Sequence, residues 1–445
     1  MLVFSRHLPS AAAGLFFLLA GTAVLAQASA ATPLGMTEAV RLAATSHPTV
    51  RNAVGQALQA GEGIAAARSG YYPQVSAGLS ARTGNRQLQT DGRRQVHQAS
   101  LSVTQLLYDF GKVSSAVNEA EASATAARAK LLVAVDDVVR DTAQAWIEVH
   151  RQQALGEIAQ AQVKGVQSLA GLVGERQAKG ATSQSDVAQA QSRLEAARAQ
   201  QLNTASQAER WRLNLMHLTQ GRAPVDIAGE ASPPLASACA AHPQTALPAP
   251  TVQMAQAERD MAQAALRGAD AQLLPTLSLN AGVNRGLESG ARLAGQPATE
   301  STFTVNFSAP LYEGGRSQAR QRAAVHAVEA AEAALGYAQL SVRQRLEDAR
   351  VQSQGHAQRL PVLAARVHST QRTRDLYREQ YLQLGTRSLL DLLNAEQEFH
   401  GARFEQAESA HEVQRLAVEC LYQSGRLREA FGLVDAGDLV AGGQP

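Results

Sequence analysis

The sequence predicts an α+β membrane protein in which four β-strands, grouped as two hairpins, alternate with very long helices. Three observations predict this class. A related polar segment occurs twice, about 205 residues apart, as "GATSQSDVAQAQSRLEAARAQ" from Gly180 and "LGTRSLLDLLNAEQEFHGAR" from Leu384. Only 4% of the residues are aromatic, while alanine, glutamine, arginine and glutamate dominate. Such a composition builds long, thinly packed helices rather than several thick cores. Two pairs of short runs alternate apolar with small polar residues, which is the period of a strand.

The N-terminal end points to export. Arg6 and His7 precede an apolar run from Ala11 to Leu25, followed by Ala26-Gln27-Ala28 and Ala28-Ser29-Ala30. Either small-residue triplet fits a cleavage site, so residues 1–30 read as a secretory signal peptide. An uncleaved anchor helix needs close to 20 apolar residues, and this run is shorter. No cysteine follows the small residues, so no lipid is expected on the new N-terminus. Beyond Ala30 no apolar run is long enough for a transmembrane helix, and an exported chain that enters a membrane must then do so as strands. The net charge of +2 argues against a nucleic-acid partner, and the arginines are interspersed with glutamate and aspartate, as on solvated or ion-paired helix surfaces. Cys239 and Cys420 form no motif; free or incidental thiols are expected, a disulfide being possible but without support from the spacing.

The duplication divides the chain into a first repeat over 31–230, a Pro-rich linker over 231–250, a second repeat over 251–430 and a tail over 431–445. A helix from Thr37 to Ser69, interrupted at His47-Pro48, leads into "YYPQVSAGLS" at Tyr71 to Ser80. Its counterpart from Val252 to Gln272 leads into "LLPTLSLNAGV" at Leu273 to Val283. Val75, Ala77 and Leu79 alternate with Ser76 and Ser80, as Leu277, Leu279 and Ala281 do with Ser278 and Asn280. Polar loops, Arg82 to Val96 and Asn284 to Glu300, precede the returning strands around Leu101 and Val103 and around Phe303, Val305 and Phe307. Both returns end in matched turns, "LYDFGK" from Leu107 and "LYEGGR" from Leu311. Tyr71, Tyr72, Tyr108, Phe110 and Tyr312 all fall at one end of the hairpins, where amphipathic rings suit a membrane interface.

An ordinary half-buried hairpin would also accept tyrosines at its strand ends. The helices that follow decide against it. Val113 to about Ala178 and Ser317 to about Gln383 would each run about 100 Å, too long to fold around a core of their own. They need lateral partners, including copies of the same chain. Four strands cannot close a barrel, whereas three chains supply twelve, an even number wide enough for an aqueous lumen.

On the duplicated hairpins, the "LYEGGR" turn and "LGTRSLLDLLNAEQEFHGAR", the sequence resembles the TolC family of outer-membrane export ducts over nearly all of the mature chain. The resemblance implies a trimeric 12-stranded outer-membrane β-barrel, four strands per chain, continued by a long periplasmic α-helical barrel. An equatorial layer partway down would take in the segment after Arg426. It implies a homotrimer in the lipid of a Gram-negative outer membrane, extending into the periplasm. The partners would be a periplasmic adaptor (membrane fusion) protein and an inner-membrane ABC or proton-driven transporter.

The same resemblance makes Gly180 and Gly385 the helix-turn glycines of the periplasmic tip. It makes Asp391 a pore-facing acidic ring, with Asn394 one turn on where a second acidic residue is usual, and it sets Arg387 against Ser185 and Asp186 as a latch. A tyrosine often found three residues before the second glycine is Leu382 here, with Tyr381 one position off. The alternative is that Asp186 and Asp391 only cap their helices.

No catalytic signature is found. "GKVSS" at Gly111 lacks the upstream glycine of a phosphate loop, since Leu106 stands there. Asp136, Asp137 and Asp141 suit a solvated or pore-lining helix face, and His326, His356, His368, His400 and His411 have no ligand-like spacing. The sequence therefore predicts no enzyme, cofactor or metal. The expected role is passage of cargo to the exterior, with type I secretion of a protein such as a toxin put first because no lipid-anchor cysteine is present, and drug or metal efflux as the alternative. A trimeric coiled-coil surface protein would have a single terminal membrane segment, and a soluble adaptor would have a β-rich domain between its helices; neither pattern is present.

Overall fold

The computed structural model describes residues 34–83, 95–221, 227, 235, 237–240, 249–287 and 299–433. The expected signal peptide, the tips of both long loops, most of the Pro-rich linker and the tail from 434 onward lie outside these residues. Eight α-helices and four strands follow in order: α1 (Met36–Ser46), α2 (Pro48–Arg68), β1 (Gln74–Thr83), β2 (Gln95–Tyr108), α3 (Lys112–Ala178), α4 (Gln184–Leu218), α5 (Pro250–Ala271), β3 (Thr276–Gly286), β4 (Thr299–Ser308), α6 (Arg316–Glu379), α7 (Leu389–Gln423) and α8 (Leu427–Ala430). No described helix is long and apolar enough to cross a membrane.

The break expected at His47 is real. Its backbone is extended, as a residue before proline prefers, and its ring accepts from the Thr49 amide to start α2. Pro250, read as the end of the linker, is instead the first residue of α5, where its missing N–H costs nothing. Asp109 starts α3 by accepting from the amides of Gly111 and Val113 at 2.9 and 2.6 Å. Glu313 holds Arg316 and Ser317 at the matching start of α6. Gly111 and Gly315 sit in the left-handed region at φ 94° and 83°, which lets the chain turn sharply from strand into helix.

The main core lies midway along α3. Met36, Ala39, Val40, Ala43 and Ala44 recur at helical spacing on α1 and pack against Val135, Val139, Ala143, Trp146 and Ile147 of α3, with Leu421 of α7, Leu427 of α8 and Phe431 closing the cluster. The Trp146 indole donates to the Leu34 carbonyl at 3.0 Å. Leu34 pairs in parallel with Ile227, so the chain before α1 is tied to the segment after α4. The described part of the tail region, Arg426 to Leu433, thus packs into this belt.

The cysteines correct an expectation. Cys239 and Cys420 are not free thiols but a disulfide, joining the inter-repeat segment to α7. They are 181 residues apart, so no spacing could reveal the pair; packing of that segment on α7 brings their Cα atoms to 5.3 Å, within bonding range.

Candidate channel wall and periplasmic mouth

The four strands form one antiparallel sheet in the order β1-β2-β3-β4, so the two hairpins lie side by side. Its registers separate two faces. Val75 stands opposite Val103, Val103 opposite Ala281, and Ala281 opposite Phe303, an apolar row across all four strands. One residue along, the row reads Ser76, Ser102, Gly282 and Thr302, and two residues further Gly78, Ser100, Asn284 and Glu300. Ser76 and Ser102 hydroxyls bond at 2.7 Å, and Thr104 donates to Asn280 at 2.9 Å. The apolar face is bare: Leu79 is 80% and Phe303 81% exposed, with Val75, Val305 and Phe307 close behind. A sheet with its greasy side outward and small polar groups on the other side belongs in a bilayer around water.

A bulge at Leu107 shifts the β2–β3 register between Leu106 and Tyr108. The extra residue sets Tyr108 opposite Leu277, on the apolar face, where it meets Phe110 edge-on at 4.6 Å between ring centres. Tyr71, Tyr72 and Tyr312 are exposed at the same end.

At the far end of the long helices the duplicated turns lie side by side around a small core. Leu169 and Val173 of α3, Ala190 of α4, Tyr381, and Leu389, Leu392 and Leu393 of α7 form it. In the first turn Gly180 adopts φ 72°. Its amide and that of Ala181 return to the Gln177 and Arg176 carbonyls, closing α3. Ser183 then caps α4 reciprocally: its hydroxyl accepts from the Asp186 amide, and the Asp186 carboxylate accepts from the Ser183 amide. Thr182 donates to the same carboxylate at 2.6 Å, and these bonds hold the Asp186 carboxyl below its ordinary range.

The second turn is built differently. Where a continuous α-helix to Gln383 was expected, α6 passes into a π turn over Gln380–Leu384, and Gly385 at φ 62° ends it. The widened turn buries Tyr381 and leaves Leu382 exposed. Ser388 caps α7 by accepting from the Asp391 amide at 3.1 Å, but the Asp391 carboxylate does not return the bond. Its partner is Arg387, 3.9 Å away.

The residues set together as a latch do not meet within the chain. Arg387 donates to Gln380 at 3.1 Å and lies over the Tyr377 ring at 4.4 Å, while Ser185 bonds Ser183. Two arginines not singled out from the sequence bridge the hairpins instead. Arg176 of α3 donates to the Tyr381 carbonyl at 3.1 Å and covers its ring at 4.8 Å. Arg193 of α4 reaches Asn394 and Gln397 of α7. Such contacts join residues about 200 apart, and no local spacing announces them.

Histidines read as isolated also have partners. His400 lies 3.2 Å from Glu396, four residues earlier on α7 and likewise buried, and Gly165 of α3 leaves the space that Glu396 fills. His411 meets His150 at 3.0 Å, with burial lowering its pKa. Among the described residues no group of three or more His, Cys, Asp or Glu side chains is arranged to hold a metal.

A two-faced four-stranded sheet continued by helices of 67 and 64 residues defines an outer-membrane channel subunit. The outer membrane efflux protein pattern matches residues 39–221 and 243–424, more than half of the chain, and the chain belongs to that family. Its fold is that of VceC from Vibrio cholerae, an outer membrane protein, with a TM-score of 0.76 at 18% identity over 88% of this chain and 96% of that one. The Campylobacter jejuni CmeC outer membrane channel gives 0.76 at 16% identity over 91% and 90%. A membrane protein from Pseudomonas aeruginosa gives 0.77 at 18% over 88% and 90%. No curated protein sequence matches significantly. The fold class is thus that of these outer-membrane proteins, one four-stranded antiparallel sheet per chain continued by long helices.

Proposed function

We propose that the chain is the outer-membrane channel of a tripartite system, receiving cargo from an inner-membrane transporter through a periplasmic adaptor. The observation that carries this reading is the sheet with exposed Val75, Leu79, Phe303, Val305 and Phe307 on one face and Ser, Thr, Asn and Gly on the other, because only a lipid-embedded, water-filled barrel satisfies both faces. The efflux family match favours small-molecule efflux as the cargo class over type I protein secretion, which the sequence put first. Deleting the gene separates them. Dye accumulation and lowered drug or metal tolerance support efflux, whereas loss of one protein from the medium at unchanged tolerance supports secretion. Neither change would remove the export role.

Within this reading Asp391 forms a three-fold acidic ring at a closed mouth, and Arg387 latches to Ser185 and Asp186 of the neighbouring copy. The Asp391 carboxylate supports the first assignment, since no backbone bond occupies it and its ion-pair partner Arg387 stands 3.9 Å away. Single-channel recording tests both. Asp391→Asn should weaken cation preference without dissolving the trimer. Arg387→Ala should raise conductance and strengthen cation preference, because it removes the positive charge 3.9 Å from the Asp391 carboxylate. Unchanged selectivity in the first variant would move Asp391 off the pore axis, and unchanged conductance in the second would remove the latch.

A further inference from the structure

The two sulfurs of the Cys239–Cys420 bond sit in unlike places. Cys420, in the last turn of α7, is fully buried in a cluster with Leu346 and Ala349 of α6 and Leu416 of α7. Cys239 is half-buried on a turn at 237–240, with Ser237 and Ala240 exposed on either side of it. An open cavity of about 410 Å³ reaches Cys239 between Ser353 and Ala357 of α6 and Val413 and Ala417 of α7, and Cys420 is not among its walls. Between the cysteines lie α5, β3, β4, α6 and most of α7. In a chain made and exported from its N-terminus, Cys239 therefore emerges long before Cys420.

We propose that Cys239 is the entry point for a periplasmic thiol oxidase, an enzyme carrying a reactive Cys-x-x-Cys disulfide, and that Cys420 is the resolving thiol that completes the bond. The way to the outer membrane leads through the periplasm, where such oxidation occurs. The Cys239 thiolate attacks one sulfur of the oxidase disulfide, forming a mixed disulfide and releasing the other oxidase sulfur as a thiolate. The Cys420 thiolate then attacks the Cys239 sulfur and expels the first oxidase sulfur. Two electrons pass to the oxidase, which leaves as a dithiol, and the two protons lost by Cys239 and Cys420 go to its thiolates or to water. Both possible timings give this order. Before α6 and α7 pack, Cys239 is the thiol that has already emerged; after they pack, it is the one a partner can reach. Cys420 meets Cys239 only when α7 is in place, and by then it is closed off from solvent. The oxidising equivalent must therefore be carried in on Cys239, which a mixed disulfide does and a freely diffusing oxidant of Cys420 does not.

The test follows disulfide-linked adducts of the full-length chain in growing cells, with free thiols blocked by acid and a maleimide and the species separated on non-reducing gels. Cys420→Ser removes the resolving thiol and should accumulate roughly fivefold or more of an adduct than Cys239→Ser does. Mass spectrometry of that adduct should join the Cys239 peptide to a peptide containing Cys-x-x-Cys. The readout precedes final folding, so a variant that never assembles still reports. Equal adducts in the two variants, or more in Cys239→Ser, overturn the order. An oxidised wild type with no protein adduct in either variant overturns the enzyme partner, and a wild type with two free thiols overturns the proposal outright. The purified, folded wild type supplies a second arm, with reduced glutathione as the probe. Glutathione should appear on Cys239 and leave Cys420 as the thiol, whereas label on Cys420 would overturn the assignment of Cys239 as the reachable sulfur.

Discussion

The two long helices start from matching turns but live in different surroundings. α3 is enclosed by α1, α2, α4, α5 and α7, and Val135, Val139, Trp146 and Val149 on it are completely buried. α6 buries only Leu346, Ala349, Ser353 and Leu363 along its 64 residues, leaving Tyr337, Leu340, Val351 and Val362 exposed. Duplication in sequence has therefore not produced duplication in environment. The first half builds the core of the protomer, while the second leaves apolar side chains on α6 that a neighbouring copy would cover in the proposed trimer. The turns repeat the lesson on a smaller scale: the carboxylate of Asp186 is absorbed into a helix cap, and that of Asp391 meets only the Arg387 side chain.

The largest effect expected from this contrast comes from the helix pair. Trp146→Ala empties a buried site and removes the donor to Leu34, so it should cost about 4 kcal/mol and reduce the folded chain itself. Val351→Asp should leave the helical signal in circular dichroism intact and instead lower the temperature at which the SDS-resistant trimer falls apart. A Val351→Asp trimer as heat-resistant as the wild type would break the assignment of α6 to the interface between copies.

A smaller effect separates the neighbours in the π turn. Tyr381→Ala should destabilise the tip by about 3 kcal/mol, because the ring is buried among Leu169, Val173 and Leu393 and Arg176 lies over it. Leu382→Ala, at an exposed position, should stay within about 0.5 kcal/mol. Hydrogen exchange across residues 377–393 reads both. Equal protection in the two variants would mean that the π turn does not select which side chain enters the tip core.

The smallest effect compares the two aspartates as caps. Asp186→Ala should loosen the first turn of α4 by about 0.5–1 kcal/mol, and Asp391→Ala should loosen α7 less, since the Asp391 carboxylate returns no bond to the backbone of its cap. The Asp186 carboxyl is held low by Thr182 and Ser183. Its contribution is therefore present above an ordinary carboxyl pKa of about 4 and is lost as pH falls through the lowered value. Amide exchange of Val187 followed downward in pH should show that loss, with Asp186→Ala flat over the same range. A pH step that persists in the variant would assign it to another group.

Much of this was legible in the chain itself. Period-2 alternation marked all four strands, since a sheet with lipid on one side and water on the other imposes that pattern residue by residue, and β1 through β4 lie where the runs of Val75, Leu101, Leu279 and Val305 indicate. Prolines and glycines placed the breaks at His47 and the turns at Gly180 and Gly385, because backbone sterics act within a few residues.

What only the tertiary structure decided are pairings between residues far apart: the Cys239–Cys420 bond, Arg193 on Asn394 and Gln397, Arg176 on Tyr381, and Trp146 on Leu34. The π turn belongs with them, although it is local. The segment at Gln380–Leu384 reads as plain helix, and the extra residue is accommodated where burying Tyr381 in the tip core outweighs the cost of a widened turn. Periodicity records which face of an element is covered. It does not record which distant side chain covers it, because that depends on how rigid elements pack once they have formed.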